Sequence, residues 1–385
     1  MINEDRLKPG PLDGIRVIEI AGIGPSPYAA MLLAELGADV VRVDRPGGAG
    51  LPHAPSDALN RSRPNLAIDL KHPKATDVLF RLVRHADVLI EGFRPGVAER
   101  LGIGPADCHA INPGLVYARM TGWGQDGPLA ARAGHDITYA ALTGALHVSG
   151  GTDKPRQAAN LIADFAGGSM FLVVGILTAL LERSRSGAGQ VVDAAMVDGA
   201  ASLMTMLYGM HAHGAWRDER EANLVDGGAP FYDTYRCKDG KFVAVGAIEP
   251  QFFAQLLTGL DLEFDQFDRA SWPAMSVAFK DTFASRTRDE WARHFEGTDA
   301  CVAPVLSLAE APSHPHMAAR GVFHQLADGN EPRVAPRFSR TSARSPGSVR
   351  TTGQDSASVL AQAGFSLAEI EEMARVGVVH LARTS

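Results

Sequence analysis

The first 125 residues alternate short β-branched runs with helical patterns, and this alternation restricts the fold more than any other feature. Ile15 to Ile20 is rich in β-branched residues, bounded by Gly14 and Gly22, and reads as a buried strand. Pro25 to Leu36 reads as a helix with proline in its first turn and Gly37 as its stop. Asp39 to Val43 gives a second strand, Ala75 to His85 a second helix, and Val88 to Ile90 and Leu115 to Met120 two further strands. Strand, helix, strand in repetition implies parallel strands joined by right-handed crossovers, so an α/β layer with a doubly wound parallel sheet is expected.

At 385 residues the chain is long enough for more than one core. A long helix is expected from Asp164 to about Arg185, stopping at Gly187-Ala188-Gly189, followed by a strand at Val191 to Ala195 and an apolar helix near Ala200 to His213. Phe231 to Arg236 and Lys241 to Val245 flank a Cys-Lys-Asp-Gly turn and read as a hairpin. Helices follow at Pro250 to Thr258, ended by Gly259, then at Met275 to Arg286 and Arg288 to Phe295. Asp328 to Gly353 is rich in Pro, Ser, Arg and Gly and reads as an extended connection. A capping-box sequence, Ser-Leu-Ala-Glu, opens a last helix from Ser366 to Ala374. The expected division is a large α/β domain over 1–200, a smaller α+β domain over 215–325, and a linker with a C-terminal helix over 326–385 that returns to the large domain.

Charge narrows the partners. Lys plus Arg is 37 and Asp plus Glu is 44, a formal net charge of −7, which is a poor footprint for nucleic acid. Cys108, Cys237 and Cys301 lie far apart and form no metal or disulfide framework. The polar start MINEDRLKPGPLDG and the ending HLARTS resemble no targeting signal, so a cytoplasmic location is expected. The longest apolar run, the 17 residues Phe165 to Leu181, is shorter than a comfortable membrane span of about 20 and reads as a buried core helix, with no membrane partner.

Several polar residues stand among small or apolar ones. His135 and Asp136 follow Gly134, and Asp164 precedes Gly167 and Gly168. Asp164 and Glu249 suit helix N-caps, the latter before Pro250. The two glycines weaken a helix and suit close approach by a ligand or a partner helix. Gly22-Ile23-Gly24-Pro25-Ser26-Pro27 begins like a dinucleotide fingerprint, but Pro27 stands where close helix–strand packing needs Gly or Ala. Arg42, Arg45, Arg61, Arg63, Lys71, Arg94 and Arg100 sit at element ends and together suit a phosphate-bearing ligand.

The segments VIEIAGIGPSPYAAMLLAELGADVVRVDRP, YARMTGWGQDGP, AGHDITY, NLIADFAGGSMF, GQVVDAAMVDG, DGGAPFYDTY and VAVGAIEPQF occur in this order. Together they resemble the α-methylacyl-CoA racemases of the family III CoA-transferase superfamily, from about residue 11 to 325. The resemblance implies inversion of 2-methylacyl-CoA thioesters by two-base proton transfer through an enolate, with no cofactor, CoA being part of the substrate. It assigns His135 and Asp164 as the two acid/base groups, Glu249 as the carboxylate that orients the imidazole, and Asp136 as a helper carboxylate. It assigns CoA contacts to Arg42, to Ile68, Asp69, Leu70 and Lys71, to Gly92, Phe93 and Arg94, to Arg100, and to Gly134 with Ile137, Thr138 and Tyr139. It also implies an interlocked homodimer. Backbone N–H groups at the Asp164 helix start, approached over Gly167 and Gly168, are the expected enolate donors. The alternative is a family III CoA-transferase with Asp164 as nucleophile. The imidazole at His135, which a transferase does not need, separates the two.

Overall fold

The computed structural model describes residues 10–48, 58–326 and 329–382. The readings of residues 1–9, of residue 328 at the head of the connection and of residues 383–385 lie outside the described residues. The chain divides into two compact units, one of 1–145, 158–204 and 333–385, the other of 146–157 and 205–332.

The first unit is built on a seven-stranded sheet. Its strands are β1 (Arg16–Ile20), β2 (Asp39–Asp44), β3 (Asn65–Ile68), β4 (Val88–Glu91) and β5 (Val116–Thr121), with edge strands at Val191–Ala195 and Val379–His380. The order is Val379–His380, β3, β2, β1, β4, β5, Val191–Ala195. All pairs are parallel except Val379–His380 against β3. The strands carry β-branched and small residues because both faces are covered, as a parallel sheet requires. On one face lie α1 (Pro25–Glu35), the α-helices Phe171–Ser186 and Met196–Leu203, and a core including Ala30, Leu33, Val40 and Ile176. On the other, α2 (Ala75–Val83) and the C-terminal helices enclose Ile18, Leu66, Leu79, Leu89 and Leu360. The α1 sequence PSPYAAMLLAE is apolar nearly all round because the helix is buried nearly all round.

The second unit carries a three-stranded antiparallel sheet, Val302–Pro304, Phe242–Gly246 and Tyr232–Arg236, the last two forming the expected hairpin. Its core is aromatic: Tyr235 stacks on Phe283, and Trp291 on Phe295.

Three expectations need correction. The helix expected to stop at Gly259 runs over Pro250–Leu260 and ends at Asp261 in the left-handed region. Gly259 lies inside it because the Phe295 ring occupies the space a side chain would need. The helix expected to start at Asp164 starts at Leu161, and its first ten residues, Leu161–Met170, are π-helical. The expected core helix is buried on one face only. Leu172, Val173, Ile176 and Ala179 point inward, whereas Phe171, Val174 and Leu181 are exposed. The run Leu161–Ser186 is long and apolar enough to cross a membrane by length and composition alone. It nevertheless packs on the sheet and ties Arg183 to Asp87 at 2.7 Å, as a core helix does.

Candidate active site

In the sheet, β1 is followed by β2 on one side and flanked by β4 on the other. Between β1 and β4 the winding reverses, and at such a switch point the carboxyl ends of the strands are where ligands of open α/β sheets bind. The turn after β1 and the loop after β4 stand at these strand ends. They touch closely: a Cβ on Gly92 would lie 2.9 Å from Ser26 Oγ. Gly24 holds a φ of +66°, and a Cβ there would lie 3.6 Å from Asp164 Oδ2. The first turn thus brings backbone against the Asp164 carboxylate.

Two helix starts frame the same place. His135 is the N-cap of the helix Asp136–Leu142, with the Thr138 hydroxyl bonded to its backbone, and its own ring makes no capping bond. The neighbouring Asp136 is buried. Its Oδ2 accepts the backbone N–H groups of Ala163 and Asp164 at 2.7 and 2.8 Å. Asp136 therefore does for the π-helix what Asp164 was expected to do as an N-cap. Asp164, in the first turn, is free to turn its carboxylate outward, where Asn160 Nδ2 donates to Oδ2 at 3.2 Å. Burial raises the Asp164 pKa above the ordinary carboxylate value, the Asn160 bond opposes this, the Asp136 charge adds to the rise, and the charge of His135 opposes it. His135 and Asp164 are thus within electrostatic reach of each other.

Tyr139, on the helix that follows His135, is buried in the core beside this place. Trp123 packs edge-on against it at 4.7 Å, and Gly122 and Gly134 leave the room its ring fills. Its pKa is pushed up to about 12 by burial, with the Asp164 charge adding and Arg94 opposing. The loop after β4 therefore brings Arg94 within electrostatic reach of Tyr139. Gly92, Arg94, Arg100, Ile137 and Thr138 are exposed, Phe93 and Gly134 half-buried.

The remaining candidates divide. Lys71 is exposed and Asp69 and Leu70 half-buried, two strands away along the same rim. Ile68 is fully buried, so its side chain is core rather than surface. Arg42 is buried as well: it donates to Glu19 at 2.5 Å, to Asp44 at 3.4 Å, and to the Gly22 carbonyl at 3.4 Å. Arg61 pairs with the buried Glu35, and Arg63 with Glu19. These three arginines stand inside the scaffold, not in the surface cluster the sequence suggested. Buried guanidinium needs carboxylate partners, and Glu19 and Glu35 supply them. Glu249 belongs to the second unit, at the N-cap of Pro250–Leu260, where its carboxylate makes no capping bond.

Of the two close approaches expected at the glycines of the Asp164 helix, the structure shows the one by a partner helix. A Cβ on Gly167 would meet Ala200 N at 2.6 Å, and one on Gly168 would meet Met196 Cγ at 2.8 Å. They admit the neighbouring helix, and the Ala163 and Asp164 N–H groups expected to face an enolate are bonded to Asp136. Sequence reasoning gave Asn160 no role. The signal was its spacing of four from Asp164, which puts an amide beside a carboxylate on a helix.

The chain matches the model of the CoA-transferase family III over residues 12–356. It is 46% identical over 372 residues to the alpha-methylacyl-CoA racemase of Mus musculus, covering 94% of this chain and 96% of that one. Against the Homo sapiens alpha-methylacyl-CoA racemase the identity is 45% over 370 residues, with the same coverage of 94% and 96%. Among solved structures, a CAIB/BAIF family protein from Brucella suis matches with a TM-score of 0.80 at 26% identity, covering 92% of this chain and all (100%) of that one.

Proposed function

This chain belongs to the CoA-transferase family III, and from that membership we propose that it is an α-methylacyl-CoA racemase, an isomerase interconverting (2R)- and (2S)-2-methylacyl-CoA thioesters. The observation that carries the mechanism is the placement of His135 and Asp164 at two helix starts joined through Asp136.

A racemase needs a base on one side of the α-carbon and an acid on the other, exchanging roles for the reverse direction. In one direction a neutral His135 removes the α-proton and a protonated Asp164 delivers one to the opposite face of the enolate. In the other, the Asp164 carboxylate takes the proton and the imidazolium returns one. The raised Asp164 pKa favours this, since it enlarges the share of the carboxyl that carries a proton to donate near neutral pH. No bound cofactor enters these steps, and CoA belongs to the substrate. Arg94, Arg100 and Lys71 are exposed cations on the site's rim and suit CoA phosphates. Arg42 serves that site from beneath, by holding the turn after β1 through the Gly22 carbonyl.

Glu249 is assigned to orienting the imidazole on the family resemblance. An interlocked homodimer is part of the same reading. The exposed apolar side of Phe171–Ser186 supports it, since a stripe of that kind on a soluble chain marks a covered surface.

The competing transferase reading makes Asp164 a nucleophile that forms an anhydride. Incubation with a single epimer of a 2-methylacyl-CoA in deuterium oxide decides. Loss of chirality with one deuterium gained at the α-carbon supports the racemase. Thioester exchange onto an added carboxylic acid without deuterium uptake overturns it.

A further inference from the structure

The loop after β4 carries Phe93 and Arg94 and leads to Arg100, yet it is short of structure of its own. It enters α3 (Val97–Arg100), a helix of only four residues, too short to hold itself in place. What holds it lies beneath. Glu91, the last residue of β4, and Arg119 on β5 are register partners in the parallel sheet. Glu91 is fully buried and Arg119 nearly so. Arg119 Nε donates to Glu91 Oε1 at 2.9 Å. The second Glu91 oxygen accepts the backbone N–H of Phe93 at 2.6 Å, a short charge-assisted bond that fixes the first turn of the loop. The far edge of the same guanidinium forks onto Glu99 of α3, at 2.8 and 3.4 Å. One buried arginine thus fastens the loop at both ends, at Phe93 through Glu91 and at Glu99 directly. Just before the first fastened point, a Cβ on Gly92 would lie 2.9 Å from Ser26 Oγ, so the turn after β1 packs beside the start of the loop.

We infer that Arg119 is a positioning residue for acyl-CoA binding: through Glu91 and Glu99 it sets the β4–α3 loop so that Arg94 and Arg100 meet the anionic part of the substrate. This rests on the reading of that loop as a CoA contact. A point charge cannot replace the fork, because lysine has no planar edge to hold two carboxylates in fixed directions.

The experiment is steady-state racemisation by the full-length enzyme, with CoA binding measured by calorimetry, for Arg119→Lys, Glu99→Gln and Arg94→Gln. Glu99 is partly exposed, so its substitution leaves the buried pair intact and the fold secure. Expected are a KM rise and a weaker CoA Kd of about tenfold for Arg119→Lys and about threefold for Glu99→Gln, with kcat within about twofold and an unchanged pH profile. A merely structural role would lower Tm without this split. The inference is overturned if Arg94→Gln weakens CoA binding while Arg119→Lys and Glu99→Gln do not. If Arg94→Gln itself leaves KM and Kd unchanged, the loop is not a CoA contact, and the inference falls together with that reading.

Discussion

One Asp136 oxygen receives the backbone N–H groups of both Ala163 and Asp164, at 2.7 and 2.8 Å, so two acidic residues 28 positions apart form a single unit. The contact makes the place of the Asp164 carboxylate depend on a side chain that itself starts the helix following His135. Replacing Asp136 with Ala removes the acceptor from two N–H groups and loosens the π-helix start. A misplacement of about 1 Å costs on the order of a hundredfold in rate. Asp136→Ala is therefore expected to lower kcat by roughly that factor with a smaller change in KM. Asp136→Asn retains a carbonyl acceptor and is expected to lose less. Equal kcat for Asp136→Ala and wild type would contradict the coupling.

The Asn160 amide tunes the same carboxylate in the opposite sense to burial. Its bond to Asp164 favours the ionised form, so its removal raises an already raised pKa further. In the direction that uses Asp164 as the base, the group must be ionised in the free enzyme. The acidic limb of kcat/KM therefore moves to higher pH in Asn160→Ala. In the opposite direction Asp164 must be protonated, and activity there extends to higher pH. Profiles measured from each epimer check both signs, and a shift to lower pH would refute the assignment.

Gly167 and Gly199 let two helices touch backbone to backbone, and a Cβ on Gly199 would collide with the Gly167 carbonyl. Gly199→Ala is expected to destabilise the protein by about 1–3 kcal/mol, the usual cost of overpacking, read by urea denaturation. Loss of turnover with stability unchanged would return Gly167 to the ligand-approach role.

The sheet was legible because β-branched runs bounded by glycine have few other readings, and β1, β2, β4 and β5 lie where that pattern put them. β3 was missed: Asn65–Ile68 offers only three apolar residues, after a stretch dense in arginine. The boundaries failed where tertiary partners overrode local signals. Gly259 is a helix terminator by propensity, but Phe295 makes it a packing glycine instead. Asp164 looks like an N-cap until Asp136, distant in sequence, takes that role. The burial of Arg42, Arg61 and Arg63 depends on Glu19 and Glu35, carried by other elements, which no local pattern connects. Residue types at the site were thus readable, whereas which charges face the ligand was a property of the packing.

The outer side of the helix Phe171–Ser186 shows how the proposed assembly can be tested. Phe171, Val174 and Leu181 are 37%, 55% and 64% exposed and recur at helical spacing opposite the buried Leu172, Val173, Ile176 and Ala179. Covering a large aliphatic side chain contributes roughly 1.5–3 kcal/mol, so a stripe of three gives a second copy of the chain a reason to bind there. Val174→Glu with Leu181→Glu places two charges where such an interface would exclude water, at a cost of several kcal/mol if they stay unpaired. The wild type is expected to sediment as a dimer and the double variant as a monomer that retains its far-ultraviolet circular dichroism. If Glu249 acts on the His135 of the partner chain, the monomer also loses racemisation. A fully active monomeric wild type would remove the dimer from the mechanism.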